Sequence, residues 1–380
     1  MIKSSEITEI AVSTINTAEI DDNLIERWRK LEPYTSAANV YLSPDFMLPA
    51  LQYLVPGNST YMIKAELPRQ NNDLAAVGFI QKSKASRSIP FHHMMLFRSL
   101  HTATTGFLTH EQYTAPVLKA IFNHLKEDNI QILEALNLQE DQAWKPFLNN
   151  PQPSLRWIEY ERFKRYIFRP DTGGDEFLNH MMSKKNIKNN KRRHKLLQKE
   201  GKVTWKIIRG DADWEKHIDR FLYLEDLGWK GARASSLLSS SADHNFFKTM
   251  IHNFARHDKV FFTELLLNDE AIASSVGLVY NKTAYGFKLA WDPKYARSSP
   301  GILNLIEMIR SAPETLQDID YLDSASVPGS FIESYFNDHI EIVSGTFTEN
   351  NYLSLILAGI QQARILKQKI TNHQPKIAHV

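Results

Sequence analysis

Arg297, Ser298, Ser299, Pro300 and Gly301 bring a guanidinium, two hydroxyls, a proline and a glycine together just ahead of an apolar run with helical spacing, Ile302, Leu303, Leu305, Ile306 and Ile309. Ser299 suits an N-cap and Pro300 the first helical position, so a helix is expected from about residue 300. The first amides of such a helix lack intrahelical partners and its dipole is positive there. A phosphate or pyrophosphate would be stabilised at this end, with Arg297 adding a charged donor and Gly301 letting another molecule approach the backbone. The same residues also describe an ordinary capped helix, so the neighbouring elements must decide.

Three β-branched and aromatic runs, 260–267, 271–280 and 283–290, are separated by the turn signals Asn268-Asp269-Glu270 and Asn281-Lys282. They predict an antiparallel meander whose third strand delivers the chain to the anion loop. After the helix, 319–323 reads as a buried strand lying beside that third strand. Meander, anion loop, helix and strand in this order point to a cofactor site.

The chain has 380 residues, a formal net charge of +2 and no cysteine. Its length exceeds one typical domain of about 100 to 200 residues. The lack of cysteine excludes disulfides, thiolate metal ligands and a cysteine nucleophile. The N-terminus lacks the apolar core of a signal peptide, and no run approaches the roughly 18 apolar residues of a membrane span, so the cytoplasm is the expected compartment. Lys184, Lys185, Lys188, Lys191, Arg192, Arg193, Lys195 and Lys199 are uninterrupted by acidic residues. Helical spacing puts several of them on one face, which suits a solvated helix, a clamp for an anionic substrate or coenzyme phosphates, or RNA backbone contacts. No aromatic residue is interleaved there for base stacking.

In the first half, helices are expected at 18–32 and from Ser43-Pro44-Asp45, strands at 61–67 and 74–82, a helix near 115–126, and strands at 130–136 and 156–168. The order helix, helix, strand, strand, loop, helix, strand recurs after residue 210. This predicts two related α/β halves, 1–170 and 171–380, joined near Arg169-Pro170-Asp171-Thr172-Gly173-Gly174. His92, His93, His101 and His110 cluster in the loop of the first half. No carboxylate pair stands at ligand spacing beside them, so no metal is expected; their loop leaves one of them placed to face the cleft between the halves.

The segment from about 175 to 345 resembles the GCN5-related N-acetyltransferase (GNAT) superfamily, and more closely its CelD-like (BioF2-like) branch and the FemABX peptidyl transferases. The resemblance is carried, in order, by residues 183–201, by Phe221-Leu222-Tyr223-Leu224-Glu225-Asp226-Leu227-Gly228-Trp229-Lys230-Gly231, by Ala271-Ile272-Ala273, by 295–301 and by Leu322-Asp323-Ser324. It implies a tandem α/β (α+β) fold of two mixed sheets flanked by helices. It also implies acetyl-CoA or another acyl-CoA as co-substrate, with Lys288, Leu289, Ala290, Arg297, Ser298, Ser299, Pro300, Gly301 and Ile302 along the coenzyme. The loop departs from the family's Q/R-x-x-G-x-G/A pattern, because Pro300 and Ile302 stand at its glycine positions. The Tyr-Lys or Phe-Lys pair often found after the later strand in FemABX relatives is replaced by Ile332-Glu333.

Acyl transfer to an amine requires a proton acceptor, stabilisation of the oxyanion and help for the departing thiolate. Asp323 is the first candidate for base or amine anchor, against a turn or N-cap role. Tyr335, on an expected helix four residues after Phe331, is a candidate general acid, against a buried structural role. Glu225 lies on an apolar helix and must either pair with Lys230 or Arg233 or face substrate. Trp229, Lys230 and Tyr285 are expected on the substrate side. The expected acceptor is the amine of a small molecule, sugar or peptide. The alternative is a non-catalytic or aminoacyl-tRNA-dependent protein that uses the basic stretch to bind RNA. The strongly apolar stretch 352–367 is expected to pack on the core or on a partner.

Overall fold

The computed structural model describes residues 9–55, 59–86, 89–149, 155–210 and 212–372. The N-terminal stretch read above for a leader lies largely outside them. The first half runs β1 (Ala11–Asn16), α1 (Asp22–Leu31), α2 (Pro44–Tyr53), β2 (Thr60–Leu67), β3 (Asp73–Ser83), β4 (His93–Leu96), β5 (Phe107–Thr109), α3 (Thr114–Glu127), β6 (Leu133–Gln139), α4 (Lys145–Leu148) and β7 (Arg156–Phe168). The second runs α5 (Asp175–Met181), α6 (Lys184–Gln198), β8 (Val203–Ile208), α7 (Trp214–Leu227), α8 (Trp229–Ala232), α9 (Ser241–Arg256), β9 (Val260–Leu267), β10 (Glu270–Tyr280), β11 (Thr283–Trp291), α10 (Pro300–Thr315), β12 (Tyr321–Asp323), β13 (Asp338–Thr348) and α11 (Asn351–Asn372).

Local chemistry accounts for the element ends that the sequence marked. The Ser43 hydroxyl accepts the Phe46 amide at 3.3 Å to open α2, with Pro44 at the first helical position. Ser183 does the same for α6, accepting the Asn186 amide at 3.2 Å. Asn268 and Asn281 occupy left-handed backbone in the two meander turns, which asparagine tolerates better than most residues.

The expected α/β class, with mixed strands and flanking helices, is present. The two sheets expected for the two halves are joined edge to edge into one, in the order β1-β2-β3-β4-β6-β13-β7-β12-β11-β10-β9-β8, with β5 pairing β3 off this path. The physical reason lies in β13, which pairs antiparallel with both β6 and β7, while β12 pairs with β7. These pairings satisfy strand edges that two separate sheets would leave open. A common plan runs through both halves. A short parallel pair, β4 with β6 and β11 with β12, is connected through one long helix, α3 or α10.

One core spans the division at residue 170. Trp28, Tyr41 and Phe46 of the first half are buried together with Phe246, Phe247 and Tyr285 of the second. Phe46 meets Phe246 edge-on at 5.3 Å between centroids, and Tyr41 meets Tyr285 at 5.7 Å. On the other side of the sheet, α10 covers β9 to β11 through Leu303, Ile306 and Ile309. In place of the helix expected at 331–336, Phe331–Ser334 forms a single 3-10 turn, with Tyr335 just beyond it. The run is too short to propagate a helix before β13 begins. Helix α11 packs on β7 and β13 through Leu357, while Tyr352 and Leu355 are exposed. Among the described residues, no helix is long and apolar enough to cross a membrane.

Candidate active site

The site begins where two strands part. β11 and β12 pair in parallel only at Thr283, Ala284 and Tyr285, opposite Tyr321, Leu322 and Asp323. One residue later, a Cβ added at Gly286 would sit 3.3 Å from the Ser324 carbonyl oxygen, and beyond that point the strands diverge. From Gly286 on, the edge of β11 turned toward β12 has no strand partner among the described residues. A bulge reinforces the divergence, because Phe287 is the extra residue between the Val276–Lys288 and Gly277–Gly286 pairs. Gly277 is required there, since a Cβ would lie 2.2 Å from the Phe261 ring. The gap holds a cavity of about 240 Å³, lined by Phe287, Leu289, Leu305, Leu322, Phe331 and Ile332 among others. Its walls are apolar, which suits a thin acyl-bearing arm.

Helix α10 leads into this gap. Ser299 stands at its N-cap position in left-handed backbone, φ 47 and ψ 61, and its hydroxyl makes no capping hydrogen bond. The Ser299 carbonyl accepts the Ile302 and Leu303 amides, Pro300 has none to give, and among the described residues no protein acceptor meets the Gly301 amide. The cap expected from sequence is therefore open, because the αL backbone turns the serine side chain away from the first turn. A non-glycine residue held in αL is strained by roughly 1–2 kcal/mol, a cost often found at ligand-binding turns. Gly301 answers a different need from the one expected of it. A Cβ there would lie 3.2 Å from a Leu289 methyl and 3.3 Å from Trp291, so the glycine seats α10 close against β11. Arg297 is exposed on the preceding 3-10 turn, Pro293–Ser298, and no carboxylate among the described residues pairs with it.

A polar pin fixes α10. Asn304, fully buried, accepts the Trp205 indole N–H at 2.9 Å and donates to Thr263 Oγ1 and Ser275 Oγ at 3.0 Å each. Beside the open helix end, α6 packs against the Pro293–Ser298 turn. Lys184, Lys188, Lys191, Arg192, Lys195 and Lys199 line an open groove of about 580 Å³ along α6. The expected basic face is therefore carried by a helix that touches the turn preceding α10.

The opposite face of the sheet carries the ionisable groups. Lys288 Nζ lies 5.5 Å from the Phe287 ring centroid. Burial, then Lys230, push its ammonium down to about 8, against the pull of Glu225 and Asp243. Glu225 is almost wholly buried, accepting Lys230 Nζ at 2.7 Å and the Leu237 amide at 2.8 Å. Lys230, one of the two cations proposed for it, is bonded to it. His101 arrives from the loop at 97–106 of the first half, with Nε2 2.7 Å from Asp243 Oδ1.

The other expected residues divide between the cavity and the core around it. Asp323 Oδ1 accepts the Ala325 amide at 2.7 Å in a turn, and Oδ2 lies 3.6 Å from Arg165 Nη1. Burial raises the Asp323 carboxyl, with Arg165 opposing. Tyr285 is in the shared core and donates to the Ala38 carbonyl at 2.7 Å, so its hydroxyl is directed at the first half rather than at the cavity. Tyr335 is buried beside the cavity wall formed by Ile332 and Phe336. Ala290 is buried in the shared core, whereas Lys288 and Leu289 line the cavity. The Trp229 side chain lies outside the described residues. The sequence placed His101 among four histidines of which one was expected to face the cleft, without singling it out, and it gave no indication of Asp243, Phe287 or Phe331 as site residues. The hydroxyl-rich setting of His101 was the one available signal.

Residues 184–327, which contain the meander, the splayed strands and the open helix end, match the model of an acetyltransferase (GNAT) domain. This segment is a GNAT-type acyltransferase domain. Beyond the GNAT domain, solved structures resemble nearly the whole chain at low identity. FemX superposes with a TM-score of 0.54 at 11% identity, covering 90% of this chain and 98% of its own. The C-terminal domain of a putative lysylphosphatidylglycerol synthetase from Agrobacterium fabrum gives 0.52 at 9%, covering 89% and 95%. A conserved protein of unknown function from Bacteroides thetaiotaomicron gives 0.51 at 10%, covering 84% and 97%. At these identities the likeness is one of fold. No curated protein matches the sequence.

Proposed function

We propose that the protein is an acyl-CoA-dependent N-acyltransferase that moves an acyl group, acetyl in the simplest case, from a coenzyme A thioester to an amine on a small molecule, sugar or peptide. The observation that carries this reading is the apolar cavity opened where β11 and β12 part, lined in part by Leu305 and Met308 of α10, the helix whose start is uncapped. Arg297 and the Gly301 amide suit the diphosphate, and the neighbouring cations of α6 suit further phosphate charge. The pantetheine arm then fits along Leu289 and Leu305, with the unpaired edge of β11 offering backbone donors toward the thioester carbonyl. Apolar walls exclude water, which favours aminolysis over hydrolysis. Glu225 and Asp323, each held by a cation and a backbone amide, serve as positioning groups for the α7 corner and the β12 turn.

In a thermal-shift titration, acetyl-CoA is expected to raise the melting temperature of the wild-type protein. Arg297→Ala should weaken apparent binding about tenfold, or ~1.4 kcal/mol, with the unliganded midpoint unchanged. A wild-type protein that ignores acetyl-CoA at low salt would remove the basis of this reading.

One observation favours a second reading, in which an RNA-borne acyl donor is used: the basic groove runs the length of α6, from Lys184 to Lys199. On that reading, transfer RNA is retained in a salt-dependent way, and joint replacement of Lys191, Arg192 and Arg193 by alanine abolishes retention. Unchanged retention in the triple variant would dismiss it.

A further inference from the structure

The loop at 97–106 of the first half is built to hold one side chain against the GNAT domain. Arg165, 2% exposed, donates to the Ala103 carbonyl and to Thr104 Oγ1 at 2.7 Å each, and the Ser99 and Thr102 hydroxyls are 2.9 Å apart. Between these anchors, the His101 ring stacks on Phe246 at 5.1 Å and 6°, with the Phe287 ring centroid 6.3 Å away. The His101 side chain is 8% exposed. Asp243 faces Nε2, and because a carboxylate only accepts, Nε2 carries the proton and Nδ1 the lone pair. Among the described residues, Nδ1 is buried and meets no hydrogen-bond partner. A buried nitrogen left unpaired costs on the order of 1–3 kcal/mol, and stacking on Phe246 alone would be served as well by an apolar ring. An oriented imidazole with an unused basic nitrogen is the arrangement of a general base.

We propose that His101 accepts the proton of the acceptor amine, and that this acceptor binds in the cleft between the two halves and carries an anionic group. The inference rests on the acyl-CoA reading above. The cleft has a volume of about 730 Å³ and runs from His101 and Asp243 past Met95 and Phe97 to Arg98 and Lys82 at its outer end. Among its described lining residues the one carboxylate, Asp243, is engaged by His101, so the exposed Lys82 and Arg98 leave the outer end positive. Phe287 stands between the two sites: it lines the acyl cavity at the bulge of β11, and its ring centroid lies 6.3 Å from that of His101.

In the reaction, the amine lone pair attacks the thioester carbonyl carbon and forms the C–N bond. The C–S bond breaks, the amine proton passes to His101 Nδ1, and the thiolate leaves and is protonated in turn, giving an amide and free thiol. The charged groups facing His101 are Asp243 of α9, Lys288 of β11 and Glu225 of α7. Burial and Lys288 hold the imidazole below its ordinary value, with Asp243 and Glu225 opposing, so the ring is neutral at physiological pH.

The test uses the full chain, acetyl-CoA, and thiol release with glucosamine 6-phosphate, lysine or spermidine as acceptor. The two amines that carry an anion are expected to be turned over faster than spermidine. His101→Gln should lower kcat/KM by about 100-fold or more and remove the acidic limb of the pH profile, while leaving the acetyl-CoA thermal shift intact. Asp243→Asn, which alters a positioning residue, should move that limb to lower pH with a smaller loss. Activity within about threefold of wild type and an unchanged acidic limb in His101→Gln would overturn the base assignment. Faster turnover of spermidine would overturn the substrate class. A protein that binds acetyl-CoA yet releases no thiol with any of the three amines would overturn the acceptor cleft. Failure of the wild type to bind acetyl-CoA would instead strike the acyl-CoA reading itself.

Discussion

Arg165→Met is expected to destabilise the protein by about 3–5 kcal/mol, the range for removing one partner of a buried ion pair. Its guanidinium holds the loop at 97–106 through Ala103 and Thr104, and it is the cation facing Asp323, whose carboxylate is 1% exposed. Methionine fills similar volume but leaves the Ala103 carbonyl and the Asp323 carboxylate buried without that donor. Chemical denaturation measures the loss, and Arg165→Met combined with Asp323→Asn should recover part of it. The Asp323 carboxyl is raised in the fold, so its protonated form favours folding. That contribution is fully present below its ordinary value of 3.8 and is lost as pH rises through the folded value. The deficit of the single variant should therefore shrink on acidification. A change below about 1 kcal/mol at neutral pH would show that this contact does not hold the halves together.

Glu264→Ala should cost about 3 kcal/mol at neutral pH, for a different electrostatic reason. Glu264 is fully buried on β9, with His217 Nδ1 at 2.6 Å, Arg220 at 3.3 Å and Lys206 at 3.4 Å. It ties α7 to the meander and so sets the helix that carries Glu225. Burial pushes the Glu264 carboxyl upward, but His217, Lys206 and Arg220 outweigh it and hold the group below its ordinary value. A depressed carboxyl stabilises the fold above its unfolded value of about 4.5, and this is lost as pH falls through the folded value. Wild type and variant should accordingly converge below pH about 4.5 in a series of urea melts. A gap that stays constant down to acid unfolding would mean that the charge contributes nothing and that packing accounts for the difference.

Both predictions concern side chains whose roles depend on partners distant in sequence, and the same distinction separates what was legible from what was not. The meander, the helix beginning at Pro300 and the short strand beside β11 could be read because alternation, turn asparagines and a proline at the first helical position act over a few residues. The basic face of α6 was legible for the same reason. The helix expected around Tyr335 was not formed, since only a 3-10 turn fits between β12 and β13. Ser299 shows the limit at a single residue. Its type suits a cap, but its backbone conformation, set by how the chain turns from β11 into α10, leaves the cap open.

By itself, the sequence determined the α/β class, the meander followed by helix and strand in the GNAT domain, and the start of that helix at Pro300. Those properties follow from periodicity and capping within single elements. Only the tertiary structure decided that β13 closes both halves into one sheet, that Arg165 stands against Asp323, and that His101 meets Asp243 across 142 residues of chain. Such pairs carry no local pattern, because burial and strand pairing bring them together only when the whole sheet has formed.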